Sequence, residues 1–225
     1  MKFLDVPQSG SVAGTTSSRN RFGQYRRTRA IPVNPNTPAQ SNMRAILGAC
    51  ATNWSSLTEP QKMAWSTWTA LHPQLDSLGQ SVVLTGAMAF NKVNCVLVMM
   101  GRAAVIYPPA DPLPDAPALG AAVLEVVAHA WDTATLAFLP TPVPSGVSFL
   151  IYGSPPKSSG TSFNGDFRFL TFAPASGVSP LDLSTVLQEK WGAPTGRPCF
   201  YFRARAIADD GGLSMFSNVV RQVAI

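Results

Sequence analysis

The chain has 225 residues, of which 46% are apolar and 13% are charged, and it contains 17 glycines and 20 prolines. This balance excludes simple disorder, which needs low hydrophobicity and high charge, and the length suits one large or two small domains. Because so few charges would leave a free monomer poorly soluble, we expect a homo-oligomer or a larger assembly.

Neither the cysteines nor the apolar segments point to an oxidising compartment or a membrane. Cys50, Cys95 and Cys199 are odd in number and far apart, which predicts small buried side chains in a reducing compartment. The first residues lack the apolar core of a signal peptide, and the longest apolar stretch, residues 93–100, is too short to span a bilayer. We therefore expect synthesis and folding in a cytoplasm, without membrane association.

The positive charge is concentrated at the N-terminus. Residues 1–45 hold seven basic residues and one acid, Asp5, whereas the remaining residues hold ten basic and eleven acidic ones. Prolines and polar clusters disfavour a helix over residues 1–38. We predict an extended basic arm there, which forms strands only as a short hairpin or on the edge of a partner.

Residues 39–106 have the periodicity of a small helical domain. Apolar residues recur at spacings of three and four over residues 39–54, which predicts a first helix. Thr58 and Gln61 form a capping sequence for a second helix, and Thr85 and Gly101 bound a third. The predicted apolar faces are Met43, Ile46, Leu47, Cys50 and Trp54 on the first helix, Met63, Ala64, Trp68 and Leu71 on the second, and Met88, Val93, Val96 and Met100 on the third.

The second half of the chain has a different pattern. Residues 107–117 contain five prolines, which indicates a semi-rigid linker. From residue 118 the apolar pattern changes to period two and turn residues recur, so we predict a β-sandwich over residues 118–225. The predicted strands include residues 123–129, 133–139, 147–152, 167–172, 200–207 and 217–223, with a turn at residues 209–212 and a short helix within residues 179–190. The predicted fold class is therefore α+β and multidomain.

The end of this half resembles the fibronectin type III family. Residues 199–207 read as an aromatic run followed by alternating arginine and alanine, and after a glycine turn come Ser217, Asn218 and Val219. Trp131 near the start of the second strand also fits. The resemblance implies an immunoglobulin/fibronectin III-like sandwich, which is a general interaction module and does not define a partner.

The first half is similar to uncharacterised proteins of tailed phages and prophages. These proteins combine a glycine- and arginine-containing arm, an Asn-Pro-x-Thr sequence and a tryptophan-containing helical hairpin. The matching residues are Gly10, Gly14 and residues 20–29, 32–35, 37–40 and 57–65. The resemblance implies a virion structural protein.

No residues with catalytic or metal-binding spacing assemble in the sequence. His72 and His129 lie in different predicted domains, and neither has a ligand partner one helical turn away. Asp209 and Asp210 are candidates for a cation site, but a hairpin turn explains both. We therefore predict no enzymatic activity, no cofactor and no metal.

The three tryptophans of the helical unit allow two interpretations. Trp54, Trp65 and Trp68 could line a ligand site, but their helical spacing favours a structural core. The unit holds few basic residues, which argues against DNA binding by its helices.

The arm has three interpretations: a solvated tail, contact with nucleic acid and docking on protein neighbours. Nucleic-acid contact would be independent of sequence and strongly dependent on salt. Docking is favoured because aromatic residues lie between the arginines, and tyrosine and arginine are frequent anchors at interfaces. The candidate interface residues are Arg19, Arg21, Phe22, Tyr25, Arg26, Arg27 and Arg29.

These observations predict a non-enzymatic virion protein, made in the host cytoplasm, whose arm docks on neighbouring capsid or tail subunits. A capsid-associated decoration or cementing role is favoured, because an arm and a projecting sandwich suit the reinforcement of a shell. The alternatives are a tail, neck or baseplate structural protein, and a nucleic-acid-binding protein that uses the same arm.

Overall fold

The computed structural model describes residues 8–20, 23–31, 33–75, 79–127, 130–162, 165–192 and 197–225. Contacts divide the chain into two compact units, Met1–Met43 and Arg44–Ile225. The described residues contain both helices and antiparallel strands, which confirms the predicted α+β class.

Four helices and twelve strands form within the described part of the chain. The helices are α1 (Pro38–Ser56), α2 (Glu59–Leu71), α3 (Gly86–Met99) and α4 (Ser184–Trp191). The strands are β1 (Gly10–Val12), β2 (Thr15–Asn20), β3 (Gly23–Thr28), β4 (Gln74–Leu75), β5 (Ser81–Val82), β6 (Ala118–Val127), β7 (Ala130–Leu139), β8 (Val147–Gly153), β9 (Arg168–Ala173), β10 (Leu181–Asp182), β11 (Cys199–Ala208) and β12 (Val220–Val223). None of these helices is long and apolar enough to cross a membrane.

The first unit contains an antiparallel sheet in the order β1-β2-β3. Strands β2 and β3 form the short hairpin that the sequence allowed, paired from Thr15 and Thr28 to Asn20 and Gly23. Strand β1 extends this hairpin by pairing with the start of β2. The predicted arm is therefore a small sheet over much of its length.

The predicted starts of α2 and α3 are confirmed by their capping contacts. The Thr58 N–H donates to Gln61 Oε1 over 2.8 Å, as a capping box requires. The Thr85 hydroxyl accepts a hydrogen bond from the Met88 N–H, and Gly101 after the end of α3 has a φ of +76°. Local sequence therefore determines where these helices begin and end.

The apolar faces predicted for α2 and α3 are partly wrong. On α2, Met63 and Leu71 are exposed, whereas Trp65 is fully buried. On α3, Met88 is exposed and the buried apolar residues are Ala89, Phe90, Val93 and Leu97. Both helices carry apolar residues on several sides, so packing against other elements, and not spacing alone, selects the buried face.

Two sheets form the C-terminal half, in the orders β10-β7-β6 and β12-β11-β8-β9. They face each other across one apolar core, to which Leu124 and Phe138 contribute from the first sheet and Ile151 and Phe202 from the second. Helix α4, which the sequence predicted within residues 179–190, adds Leu187 to this core. These contacts place α4 beside the sheets as part of the same packing unit.

The second sheet is covered on its other face as well. Leu150 of β8 and Ile207 of β11 are buried together with Trp65 of α2 and with Phe90 and Leu97 of α3. The helices therefore pack on the outside of the sheet, and residues of both parts share one core. Because β8 and β11 are covered on both faces, most of their residues are buried.

The predicted linker contacts both parts that it joins. The indole Nε1 of Trp65 donates to the Ile106 carbonyl over 2.8 Å, just before the linker. Within it, Asp111 Oδ1 lies 3.0 Å from His72 Nε2, and the Ala110 N–H donates to Asp210 Oδ2 over 2.9 Å. These contacts hold the proline-rich segment against the helices and the sheet.

The last strand begins at Val220, three residues later than predicted. Before it, the hydroxyls of Ser214 and Ser217 accept the N–H groups of Ala206 and Ala204. Because side-chain hydroxyls accept these N–H groups of β11, residues 214–217 run beside β11 without the regular backbone hydrogen bonds of a β-ladder.

Candidate protein-docking arm

The candidate site is the sheet β1–β3, and its register decides which residues share a face. Residues that oppose each other in an antiparallel pair lie on the same side, and neighbours along a strand alternate. Arg26 opposes Ser17, and Arg19 lies two residues further along β2, so both arginines share one face. Tyr25 and Arg27 flank Arg26 in β3 and therefore share the other face.

Three further candidate residues lie outside these two pairs. Arg29 follows β3, where its N–H donates to the Gly14 carbonyl over 2.8 Å. Arg21 and Phe22 fall outside the described residues. The structure therefore brings Arg19, Tyr25, Arg26 and Arg27 together in one sheet, divided between its two faces.

The arm sheet has no apolar interior of its own. None of the described residues of β1, β2 and β3 is buried, and the apolar residues Val12, Ile31 and Val33 of the arm are exposed. Among the described residues, no strand lies beside the outer edge of β1 or of β3. Open edges of this kind are sites where another chain can add a strand.

The charge of the arm is not balanced within its own sequence. Asp5 is the only acid among residues 1–45, against seven basic residues. The Arg26 guanidinium donates to Gln8 Oε1 over 2.5 Å, and this contact orients the guanidinium on its face of the sheet. The arm therefore presents a positive field that an acidic surface would complement.

The remaining titratable candidates have structural partners. Asp209 forms an ion pair with Arg102, with Oδ1 and Nη1 2.8 Å apart, and Asp210 Oδ1 accepts the Gly212 N–H over 3.0 Å. The prediction of a hairpin turn at these aspartates is confirmed. Among the described residues, no group of three or more His, Cys, Asp or Glu is placed to hold a metal ion. His129 lies outside the described residues.

The cysteines are all free thiols, with Cys50 and Cys199 buried and Cys95 half-buried. Burial, with a smaller contribution from Cys95, raises the pKa of Cys50 to about 11. The Cys50 thiol therefore stays protonated at neutral pH and is a poor nucleophile. It packs as a small apolar side chain, as predicted for the cysteines.

The tryptophans of the helices form part of the core, as predicted. The rings of Trp54 and Trp65 each lie 5.4 Å from that of Phe90, between ring centroids. Trp68 contacts Trp65 edge to face at 6.0 Å and stacks on His72 at 4.5 Å. Trp65 has no exposed surface, so this cluster cannot enclose a ligand around that ring.

A cleft that the sequence did not predict opens beside Trp68. It has a volume of about 600 Å³ and lies between α2, α3 and residues 213–216. Lys92 and Arg205 contribute the cationic groups of its lining. The signal in the sequence was that Lys92 is the only charged residue of α3, but its placement near Arg205 depends on the tertiary fold.

Comparison with known proteins gives no family for this chain. No model of a known protein family matches it, and no curated protein matches it either.

Proposed function

We propose that the chain is a non-enzymatic structural protein of a tailed-phage or prophage virion, and that its arm docks on neighbouring subunits. The observation that carries this proposal is the sheet β1–β3, which is basic, lacks a core and has open edges. A sheet of this kind gains stability when another surface covers it, because its own chain buries none of its described residues.

Docking would use the two faces and the edges of the arm sheet differently. The backbone of β3 or β1 would add to a strand of the neighbour, which gives affinity through main-chain hydrogen bonds. Arg19 and Arg26 on one face would pair with acidic groups. Tyr25 and Arg27 on the other face are suited to anchor in a partly apolar surface.

A capsid-associated decoration or cementing role is the favoured position, with a tail, neck or baseplate position as the alternative. The strand orders β10-β7-β6 and β12-β11-β8-β9 support a fibronectin type III-like sandwich. The contact of the Asn218 amide with both backbone groups of Leu119 explains why an asparagine suits this place before the last strand. Such a sandwich would project from the particle while the arm holds the subunit.

The division of the arginines between the two faces of the arm sheet favours docking on protein over binding of nucleic acid. A surface that binds phosphates groups its cations on one face or along one groove. The remaining test is the salt dependence of binding to duplex DNA, since phosphate contacts weaken steeply with added salt. Absence of binding at low salt would remove the nucleic-acid alternative.

The docking proposal is tested by incorporation of variants into particles. One variant lacks residues 1–36, which keeps Thr37 and its hydroxyl contact to the Gln40 N–H at the start of α1. A second variant carries Arg19→Gln and Arg26→Gln. Copies per purified particle, measured by quantitative mass spectrometry, are expected to fall to less than about a tenth for the deletion and to fall partially for the double variant.

Arg168→Gln is the matched control, because Arg168 is an exposed arginine on β9, outside the arm. It is expected to incorporate like the unchanged chain. Wild-type incorporation of the variant without residues 1–36 would show that the arm does not dock the protein. Equal losses for Arg168→Gln and the double arginine variant would mean that charge in general, and not the arm, is responsible.

A further inference from the structure

The cleft beside Trp68 combines apolar walls with cationic groups. Its apolar lining includes Trp68, Phe216, Leu71 and Leu213.

Two cations face the same space. Lys92 Nζ donates to Gln74 Oε1 and has two further protons available. The Arg205 guanidinium lies over the Phe216 ring, 5.2 Å from its centroid, and its Nε is shielded without a partner among the described residues. Burial, and then the neighbouring Arg205, lowers the pKa of Lys92, which reflects the cost of placing these charges together.

The described lining of the cleft contains no acidic residue that would offset this repulsion. Lys92 and Arg205 donate and cannot accept, so the complementary group is a carboxylate on an apolar body. We infer that the cleft binds a peptide segment of a partner protein in which a carboxylate is flanked by apolar side chains.

A peptide fits better than a small carboxylate because the apolar surface continues beyond the cleft. Leu71, Leu75 and Met215 line the opening and are 71%, 67% and 77% exposed. A small molecule inside the cleft would leave this rim in water, whereas a chain lying across it would cover the rim. Exposed apolar groups around a pocket are typical of protein interaction sites.

Charge also excludes the arm of another copy as the occupant. The arm is basic, with Asp5 as its only acid among residues 1–45, and the cleft is cationic. The occupant is therefore a different protein, and this inference does not depend on the proposed role of the arm.

Selection from a library of short random peptides tests the inference on the full chain. The library is first depleted on the double variant Lys92→Met and Arg205→Met, which keeps the basic arm and removes peptides that bind there. Peptides then enriched on the unchanged chain are expected to carry Asp or Glu between apolar residues. Each single variant is expected to weaken binding of the enriched peptide by about tenfold or more.

Lys62→Met is the matched control, because it removes the same charge from α2 outside the cleft and should leave affinity unchanged. Lys92→Met should keep or raise the melting temperature while it weakens binding, which separates loss of the site from loss of the fold.

Three outcomes would overturn the inference. The inference is wrong if no peptide is enriched after depletion, or if the enriched peptides lack an acidic residue. Stabilisation of the chain by sodium octanoate, without peptide enrichment, would assign the cleft to small carboxylates instead.

Discussion

Gly211 lies where the hairpin after β11 meets α3. Its φ is +90°, and a Cβ built on it would lie 2.3 Å from Val93 Cγ1. Gly211→Ala should therefore combine backbone strain with overpacking of the shared core, and lower the free energy of unfolding by about 3 kcal/mol or more. Urea denaturation followed by tryptophan fluorescence measures this change.

Gly101→Ala separates the two causes. Gly101 also has a positive φ, of +76°, but nothing lies within 4 Å of a Cβ at that position. It should cost about 1 kcal/mol, from backbone strain alone. Equal losses of unfolding free energy for Gly211→Ala and Gly101→Ala would mean that the hairpin does not pack closely against α3.

Gly211 also shows which features of a single residue can be predicted from the sequence and which depend on the tertiary fold. The sequence predicts the turn at residues 209–212, because aspartates followed by glycines favour one. It does not predict that Val93 closes over the first of these glycines, since that contact joins positions more than a hundred residues apart. The same limit applies to the cleft, where Lys92 and Arg205 meet only through the tertiary fold.

At the scale of elements, α3 offers two asparagines with opposite surroundings. Asn94 is fully buried, and its amide bonds the N–H and the carbonyl of Val105 over 2.7 and 3.2 Å. Asn94→Leu leaves both backbone groups buried without partners, so we expect a loss of about 3 kcal/mol in unfolding free energy. Chemical denaturation of the full chain measures it.

Asn91 is the matched control on the same helix. Its side-chain oxygen is shielded and has no hydrogen-bond partner among the described residues. Asn91→Leu removes this unpaired acceptor and should leave stability within about 0.5 kcal/mol or raise it. A comparable loss for both variants would mean that leucine is poorly accommodated along this helix, whatever the hydrogen bonds.

Element boundaries were more predictable than element faces. Thr58 and Thr85 sit at helix starts with the contacts that their sequences predict, because capping depends on neighbouring residues only. On α2 the sequence predicted Trp65 for the core, but it also placed Met63 and Leu71 on the buried face, and both are exposed because the sheet covers another side of the helix. In the arm, the sequence indicated candidate interface residues, but their division between two faces follows from the register of β2 and β3.

At the scale of the molecule, the second sheet determines how the unit Arg44–Ile225 is built. Its strands β8 and β11 carry Ile151 and Phe202 into the core between the sheets, and Leu150 and Ile207 into the core beneath the helices. Period two in the sequence indicates a strand but does not distinguish an exposed second face from one covered by helices. The predicted domain boundaries stay predictions, and the shared core makes them testable.

Because Leu150 and Ile207 are buried with residues of α2 and α3, we predict that helices and sheets of this unit unfold together. Calorimetry of the full chain should give one main transition, with equal calorimetric and van't Hoff enthalpies. Ile207→Ala removes a strand residue from the core beneath the helices and should cost about 3 kcal/mol. In this variant, the helical signal at 222 nm and the near-ultraviolet tryptophan signal should both be lost at the same, lower melting temperature.

Val123→Ala on β6 is the control, because Val123 is a β-branched strand residue outside both cores and 42% exposed. Val123→Ala should change the melting temperature little, because folding removes little apolar surface from water at that position. If the helices melted at lower temperature than the sheets in Ile207→Ala, the contact between them would be a docking of separate domains. Coincident melting means that the helices belong to the folding unit of the sheet.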